Sequence, residues 1–285
     1  MGTVEAAGTW EVSAQQFGQI REMAREAFGL DLRPGKEALV SARLGKRARE
    51  LGLNGIGAYL KVVQADRTGL ELVALIDALT TNHTSFQREP QHFDLLRERV
   101  LKPAAARHAK LSIWSAGCST GEEPYTILLH AADVFGEAGL DNLRLVASDI
   151  STRALEAARA GIYSEDRVAP LPEHWRRRFF QRGEGPRAGF YRVKESFRRR
   201  VEFQRRNLME SMEDLPQFDV IFCRNVMIYF DKLTQERLVR KFCNHLQPGG
   251  WLLIGHSEGL MGIRHEFEYV MPAVYRKPAQ ARGPR

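Results

Sequence analysis

The residues best placed to do chemistry in this chain are small ones. Gly117-Cys118-Ser119-Thr120-Gly121 follows an apolar run at 111–114 and opens an apolar-periodic helix at Glu122-Glu123-Pro124-Tyr125. The pattern predicts a strand, a tight turn and a helix start. Small side chains in such a turn let a ligand approach the backbone, and exposed N–H groups face it. One strand–helix unit later, Leu145-Val146-Ala147-Ser148 ends in Asp149. A carboxylate there can accept from both hydroxyls of a ribose. The pair points to a nucleoside-containing ligand on an open α/β sheet. It is not the nicotinamide fingerprint, in which the acid follows the glycines by about 20 positions. Read locally, an ordinary packed strand–turn–helix fits as well.

The surrounding elements must hold this turn. From Leu111 onward strands alternate with helices, which predicts a doubly wound, mostly parallel sheet. Strands are expected at 111–115, 143–148, 200–204, 218–223 and 250–256, and helices at 91–107, 121–136, 151–159 and 232–246. Gln247-Pro248-Gly249-Gly250 reads as a turn before the fifth strand, and 267–276 as one final antiparallel strand. Residues 163–199 break the alternation. They are Arg-rich, carry Gly183, Gly185 and Gly189, and read as an inserted β-hairpin, an appendage to the sheet. The region 13–79 reads as all-helical. Ser13 and Gln16 form a capping-box pattern, Phe17, Ile20, Ala24 and Phe28 follow helical spacing, and Gly29 is a stop. Further helices are expected at 36–51, 55–64 and 68–79. The expected divisions are a helical domain at 10–80, a linker loop at 81–90, and a ligand-binding domain at 91–277 with its inserted subdomain at about 170–200.

Bulk properties narrow the class. The chain has 285 residues, 44% of them hydrophobic, enough for a large domain and a small one. No apolar run approaches the about 18 residues of a membrane span, and the first ten residues lack an export pattern, so a cytoplasmic protein is expected. Three dispersed cysteines, Cys118, Cys223 and Cys243, predict neither a disulfide framework nor a zinc site, and no metal is expected. The net charge of +7 favours polyanionic partners, although any one basic cluster is more often a solvated face.

Five segments together resemble the CheR family, S-adenosylmethionine-dependent methyltransferases that esterify glutamates of bacterial chemoreceptors. They are Thr80-Thr81-Asn82-His83-Thr84-Ser85-Phe86-Gln87-Arg88-Glu89, the glycine turn, Ala147-Ser148-Asp149-Ile150, Phe222-Cys223-Arg224-Asn225-Val226-Met227-Ile228-Tyr229-Phe230-Asp231, and Gly255-His256-Ser257-Glu258. The resemblance runs over about 17–276, helical domain included, and its Arg224–Phe230 run is highly specific. It implies a class I methyltransferase-like fold with S-adenosylmethionine as cofactor and S-adenosylhomocysteine as product. Asn82, Thr84, Arg88, Gly117, Glu123, Asp149, Asn207, Leu208, Arg224 and Asn225 match the family's cofactor site. Arg88 and Tyr229 resemble the pair lining the methyl-transfer site. Glu123 is the residue expected to meet the cofactor's ammonium. Cys118 stands where the family often has a smaller residue, and Gln87 where an aromatic is common.

The implied reaction explains what the sequence lacks. A glutamate carboxylate is ionised at neutral pH, so the nucleophile needs no general base, and neither His83 nor His256 is assigned one. The enzyme must supply alignment, desolvation and a shaped pocket. Arg88 suits a carboxylate because its guanidinium fork is planar and always charged; whether it grips substrate or cofactor stays open. The resemblance further implies that chemoreceptor cytoplasmic helices dock on Arg43, Lys46, Arg47 and Arg49, and that a receptor C-terminal pentapeptide pairs with the inserted hairpin around Gly183, Gly185, Gly189 and Arg192. A monomer that binds no nucleic acid and does not enter the membrane is expected. Two other readings remain. An RNA or DNA methyltransferase fits the basic charge, but amino-methylating enzymes of that sort carry an Asn/Asp-Pro-Pro-aromatic motif where this chain has Arg224-Asn225-Val226-Met227. A non-catalytic cofactor-binding adaptor is the other.

Overall fold

In a computed structural model, residues 9–80 and 84–279 are described, and the chain divides into two compact units. The first holds the N-terminal helices together with Tyr229–Asp231. The second holds everything from residue 83 to Ile228 and from Lys232 onward.

The helical unit contains α1 (Ala14–Phe28), α2 (Glu37–Glu50), α3 (Ile56–Ala65) and α4 (Leu70–Leu79). α1 starts at the anticipated capping box, where the Ser13 hydroxyl accepts from Gln16 N–H and the Gln16 side chain accepts from Ser13 N–H. It ends at Gly29, whose φ of 70° is the left-handed stop that glycine adopts at low cost. α3 and α4 begin slightly later than expected because Gly55 and Gly69 sit outside the helices as N-caps with positive φ. Phe17, Ile20, Leu44, Ile56, Tyr59, Leu75 and Ile76 fill the core, each large side chain contributing about 1.5–3 kcal/mol on burial. Tyr229–Asp231 packs into this unit through the Asp31 N–H, which donates to the Tyr229 carbonyl (2.8 Å), and a bridge between Leu30 and Phe230.

The second unit opens with α5 (Pro90–Leu95), a π-helical turn (Leu96–Leu101) and α6 (Lys102–Ala106). The periodicity of 91–107 predicts one regular helix. The widened turn in its middle leaves no mark on that pattern. β1 (Leu111–Ala116), α7 (Glu122–Gly139), β2 (Leu143–Asp149) and α8 (Thr152–Ala160) follow, with Gly136 breaking α7 at the residue where its end was expected. Next come β3 (Ile162–Ser164), α9 (Glu165–Val168), α10 (Glu173–Phe179), β4 (Phe180–Arg182), β5 (Phe190–Val193) and α11 (Glu195–Arg198). The chain closes with β6 (Val201–Arg205), β7 (Phe218–Cys223), α12 (Lys232–His245), β8 (Leu246–Ile254), β9 (Glu268–Met271) and β10 (Val274–Arg276).

The main sheet runs β6-β2-β1-β7-β8-β10-β9, and its first five strands are parallel. This is the doubly wound, mostly parallel, class I methyltransferase-like sheet. Two details differ from the sequence reading. The 247–250 segment is not a free turn. It lies inside β8, because Gly249 N–H donates to Lys277 O and Lys277 N–H returns to Gly250 O. The single final strand is a hairpin, since Ala273 at φ 62° folds β10 back between β9 and β8.

The insertion is also larger than a hairpin. β3, β5 and β4 form a three-stranded antiparallel sheet that starts at Ile162. It buries Tyr163, Phe180, Tyr191 and Val193 on one face and leaves Ile162, Phe190 and Arg192 exposed on the other. The expectation of an appendage fails too. Phe86 meets the Tyr163 and Phe180 rings edge-on at 4.9 and 5.8 Å, so its buried face belongs to the core of the second unit.

Candidate active site

Four parallel strands end side by side in the order β6, β2, β1, β7. From β1 the chain winds outward to β2 and β6, then crosses back to β7. The reversal leaves a crevice beyond the carboxyl ends of β1 and β7, where open α/β sheets bind ligands.

The turn after β1 has an unusual backbone. Gly117, Ser119 and Gly121 adopt φ of 85°, 48° and 96°. A Cβ on Gly117 would lie 2.4 Å from Cγ2 of Val226, so only glycine lets the turn pass against the loop after β7. Gly117 and Cys118 N–H both donate to the Ser148 carbonyl at 2.8 and 2.9 Å. Asp149 fixes the rest. One of its oxygens accepts from Ser119 N–H at 2.7 Å and the other from Ser151 N–H at 2.9 Å. The half-buried carboxylate is thus aimed, and an ionised carboxylate can accept about four bonds in all.

Beside the turn lies a buried ion cluster centred on Arg224. Its guanidinium donates to Glu123 Oε2 (3.1 Å), to Glu89 Oε2 (3.0 and 3.2 Å) and to the Arg88 carbonyl. It also lies 5.4 Å over the Phe93 ring. The Ser115 hydroxyl donates to Glu123 Oε1 at 2.7 Å, and His256 N–H to Glu89 Oε1 at 3.1 Å. Burial pushes the Glu123 carboxyl up, and Arg224 and Ser115 only partly pull it back. Burial acts on Glu89 in the same sense, but Arg224 and the His256 N–H outweigh it and hold Glu89 below the usual range. Arg224 is therefore a positioning residue, committed to two carboxylates and the Arg88 backbone.

The loop after β7 is clamped by Glu258. Its carboxylate accepts from Asn225, Gly255 and Ile228 N–H at 2.9, 2.5 and 3.1 Å. Burial pushes Glu258 up, and these amides pull against it. Asn225 is held at φ 58°, packed so closely on Gly255 that a Cβ there would lie 2.4 Å from the Asn225 Nδ2. Its Oδ1 is buried without a hydrogen-bond partner among the described residues, and a donor from a ligand in the crevice would satisfy it. Asn207 and the buried Leu208 follow β6, tied to the end of β2 by Arg206 N–H on the Asp149 carbonyl (3.0 Å). Gly117, Glu123, Asp149, Asn207, Leu208, Arg224 and Asn225 thus all lie at or just beyond neighbouring strand ends.

Thr84 and Arg88 lie half-buried on the loop leading to α5. Asn82 lies outside the described residues. Gln87, in the place of an expected aromatic, donates its N–H to Thr126 Oγ1 (3.4 Å) and holds His130 Nε2 through Oε1 (3.1 Å). Tyr229 follows β7 and is grouped with the helices of the first unit, and Arg88 belongs to the second. Glu89, His92 and His256 offer donor atoms within 4.8 Å of one another. Glu89 already holds Arg224 and the His256 N–H, with His92 Nδ1 3.4 Å from its Oε2, so the trio reads as the edge of the ion cluster.

The four basic residues of α2 differ in their commitments. Arg47 grips Glu71 with two bonds of 2.8 and 2.9 Å, and Arg43 donates to the carbonyls of Leu79 and Thr80 at the end of α4. Arg49 stacks 4.9 Å over Trp10, and Lys46 is exposed. In the inserted sheet, Gly183 is packed against the Arg187 carbonyl, Gly185 and Gly189 turn at φ 55° and 83°, and Arg192 sits on the exposed face of β5.

Glu89 and Glu258 lie in the matching segments without a distinguishing signal, because a carboxylate reads as surface until its buried partners are seen. Tyr163 and Arg167, which bond the glycine turn from the insertion, had no local signal at all.

An α/β sheet with a glycine turn, a strand-end carboxylate and an orphaned acceptor in one crevice defines a nucleoside-cofactor-binding protein. Residues 82–275 match the CheR methyltransferase SAM binding domain, and residues 15–80 match the CheR methyltransferase all-alpha domain. The Salmonella typhimurium "Chemotaxis protein methyltransferase" is 42% identical over 265 residues, covering 93% of this chain and 90% of that protein. The Pseudomonas aeruginosa "Chemotaxis protein methyltransferase 2" is 41% identical over 262 residues, covering 92% of each. A Borreliella burgdorferi protein of the first name is 36% identical over 275 residues, covering 93% of this chain and 95% of its own. The chain belongs to the CheR methyltransferase family, and S-adenosylmethionine is its cofactor.

Proposed function

We propose that this protein transfers the methyl group of S-adenosylmethionine to glutamate carboxylates of bacterial chemoreceptors, forming methyl esters in chemotaxis or a related sensory adaptation. The observation that carries the reading is the convergence of the Gly117 turn, Asp149 and the Arg224-Asn225 loop on one crevice, in a chain that matches both family domains. The relatives' names supply the chemotactic setting. When bound, the cofactor supplies an electrophilic methyl group on a sulfonium leaving group.

The chain's own residues bind and orient. Asp149 accepts from the ribose hydroxyls. Glu123 meets the cofactor's ammonium, its orientation fixed by Ser115 and Arg224. Asn82, Thr84, Arg88, Asn207, Leu208 and Asn225 complete the cofactor shell. Arg88 and Tyr229 line the transfer site, where Arg88 holds a carboxylate and Tyr229 shapes the acceptor pocket. No residue needs to remove a proton, because the acceptor carboxylate arrives ionised. Receptor helices dock on the basic face of α2, mainly through Lys46 and Arg49, since Arg43 and Arg47 also serve their own fold. A receptor tail adds to the small sheet at an open edge, near Gly183, Gly185, Gly189 and Arg192. The enzyme acts in the cytoplasm as a monomer, and no helix among the described residues is long and apolar enough to cross a membrane.

Kinetics with a cognate receptor test the transfer site. Tyr229→Phe is expected to bind S-adenosylhomocysteine normally yet methylate more slowly. Arg88→Ala is expected to be worse, with only partial rescue by Arg88→Lys, because a point charge cannot reproduce the fork. Wild-type turnover from Arg88→Ala would remove Arg88 from the transfer site. Calorimetry with receptor tails tests the docking edge: deleting Gly185–Gly189 is expected to abolish tail binding, and unchanged binding contradicts it.

A further inference from the structure

We propose that Tyr163 and Arg167, both from the inserted segment, are positioning residues for the cofactor turn. The other residues of that turn are held from within the main sheet. Gly117 and Cys118 bond Ser148, Ser119 bonds Asp149, and Gly121 bonds Cys118. Thr120 is held from the insertion. Its carbonyl accepts from the Tyr163 hydroxyl at 2.8 Å, and its hydroxyl accepts from Arg167 at 2.9 Å.

The contact is built in depth. Glu122, the first residue of α7, is fully buried, and Arg167 pairs with it while Thr120 donates to its other oxygen at 2.7 Å. The Arg167 guanidinium lies 5.4 Å over the Tyr163 ring. Tyr163 is 1% exposed, fixed between Phe86 edge-on and its β5 partner Tyr191. A Cβ on Gly121 would lie 3.0 Å from the Tyr163 hydroxyl and 2.9 Å from Ala158 Cβ, so this glycine admits the tyrosine as well as the turn.

The placement gives these bonds a function beyond cohesion. Gly117, Ser119 and Gly121 all carry positive φ, and only Gly117 and Gly121 do so at low steric cost. The turn therefore needs outside anchors to hold its backbone in the path that carries Asp149 and the helix start of α7. On one side the anchor is Asp149, itself a proposed ribose acceptor. On the other it is Tyr163 with Arg167, both from the inserted segment. Their loss lets the Thr120 peptide rotate, so the effect falls on cofactor affinity and not on the methyl acceptor.

The test is calorimetric titration of S-adenosylhomocysteine and steady-state kinetics on Tyr163→Phe, Arg167→Met and Arg167→Lys. Tyr163→Phe keeps the ring packing and removes one hydrogen bond, so the fold survives it. Weakening by about tenfold is expected for Tyr163→Phe and Arg167→Met. The KM for S-adenosylmethionine should rise in parallel, with kcat at saturation nearly unchanged. Arg167→Lys is expected to recover part of the affinity, since it keeps a charge for Glu122 but not the reach to Thr120. Wild-type affinity in Tyr163→Phe and Arg167→Met with only a lowered melting temperature would show a structural tether and overturn the proposal. So would a lower kcat at unchanged KM.

Discussion

The Arg224 guanidinium lies 3.1 Å from the Glu123 carboxylate, across the gap where β1 and β7 run in parallel. The pair joins the helix that starts after the glycine turn to the loop that follows β7. Those are the two segments on which the crevice depends. Arg224 also binds Glu89, so one cation orients three pieces of the site.

Removing that cation strands two carboxylates. Arg224→Ala is expected to cost about 3–5 kcal/mol near neutral pH, as for other broken buried pairs. The sign of its pH dependence follows. Without Arg224 both Glu89 and Glu123 have raised pKa values in the folded state, so protonation relieves them and the loss shrinks as pH falls. Urea denaturation at pH 5 and pH 8 checks this. A loss below about 1 kcal/mol, or an equal loss at both pH values, contradicts the central place given to Arg224.

Two buried histidines set the acid stability of the native protein. Burial lowers His92 from 6.5 to about 4, with Arg224 and His256 acting in the same direction and Glu89 against. Burial lowers His130 likewise to about 4, with Arg97 in the same direction and Asp133 and Asp94 against. A depressed pKa means that the unfolded chain takes the proton first. The stability is therefore fully present above about pH 6.5 and is lost as pH falls toward 4, at about 1.4 kcal/mol per unit for each ring at most. Denaturation midpoints measured from pH 7 to pH 4 should fall steadily. A flat profile to pH 4.5 would show that the rings titrate normally.

Asp149 is expected to carry the ribose. Asp149→Ala should weaken S-adenosylhomocysteine by about 1.5–3 kcal/mol, and it also frees the Ser119 N–H from its acceptor. Asp149→Asn keeps one acceptor oxygen and should lose less. Calorimetry that finds Asp149→Ala equal to wild type sinks the assignment.

Much of the fold was legible because it rests on local rules. The Ser13 capping box, the Gly29 stop and the strand–turn–helix around Gly117 are read directly from residue types, and the structure keeps them. What escaped depends on distant partners. Gly249 lies within a strand because of Lys277, and the small sheet includes β3 because Tyr163 pairs with Tyr191. The strand ends gathered most of the expected cofactor residues, since parallel topology places them together. The commitment of Arg224 to Glu89 and Glu123, and of Glu258 to three amides, was invisible because a buried carboxylate looks like a surface one in sequence. Basic residues hide a second role in the same way: Arg47 reads as a docking charge, and its two bonds to Glu71 also hold α2 to α4.

The central claim is that the methyl acceptor is a glutamate carboxylate. The direct measurement incubates the enzyme with radiolabelled S-adenosylmethionine and membranes carrying a cognate chemoreceptor, then treats the labelled protein with mild alkali. An ester is cleaved by hydroxide, so release of the label as volatile methanol is expected, together with methylated glutamate in receptor peptides by mass spectrometry. Label that resists alkali, or that appears on RNA in place of the receptor, would contradict the account.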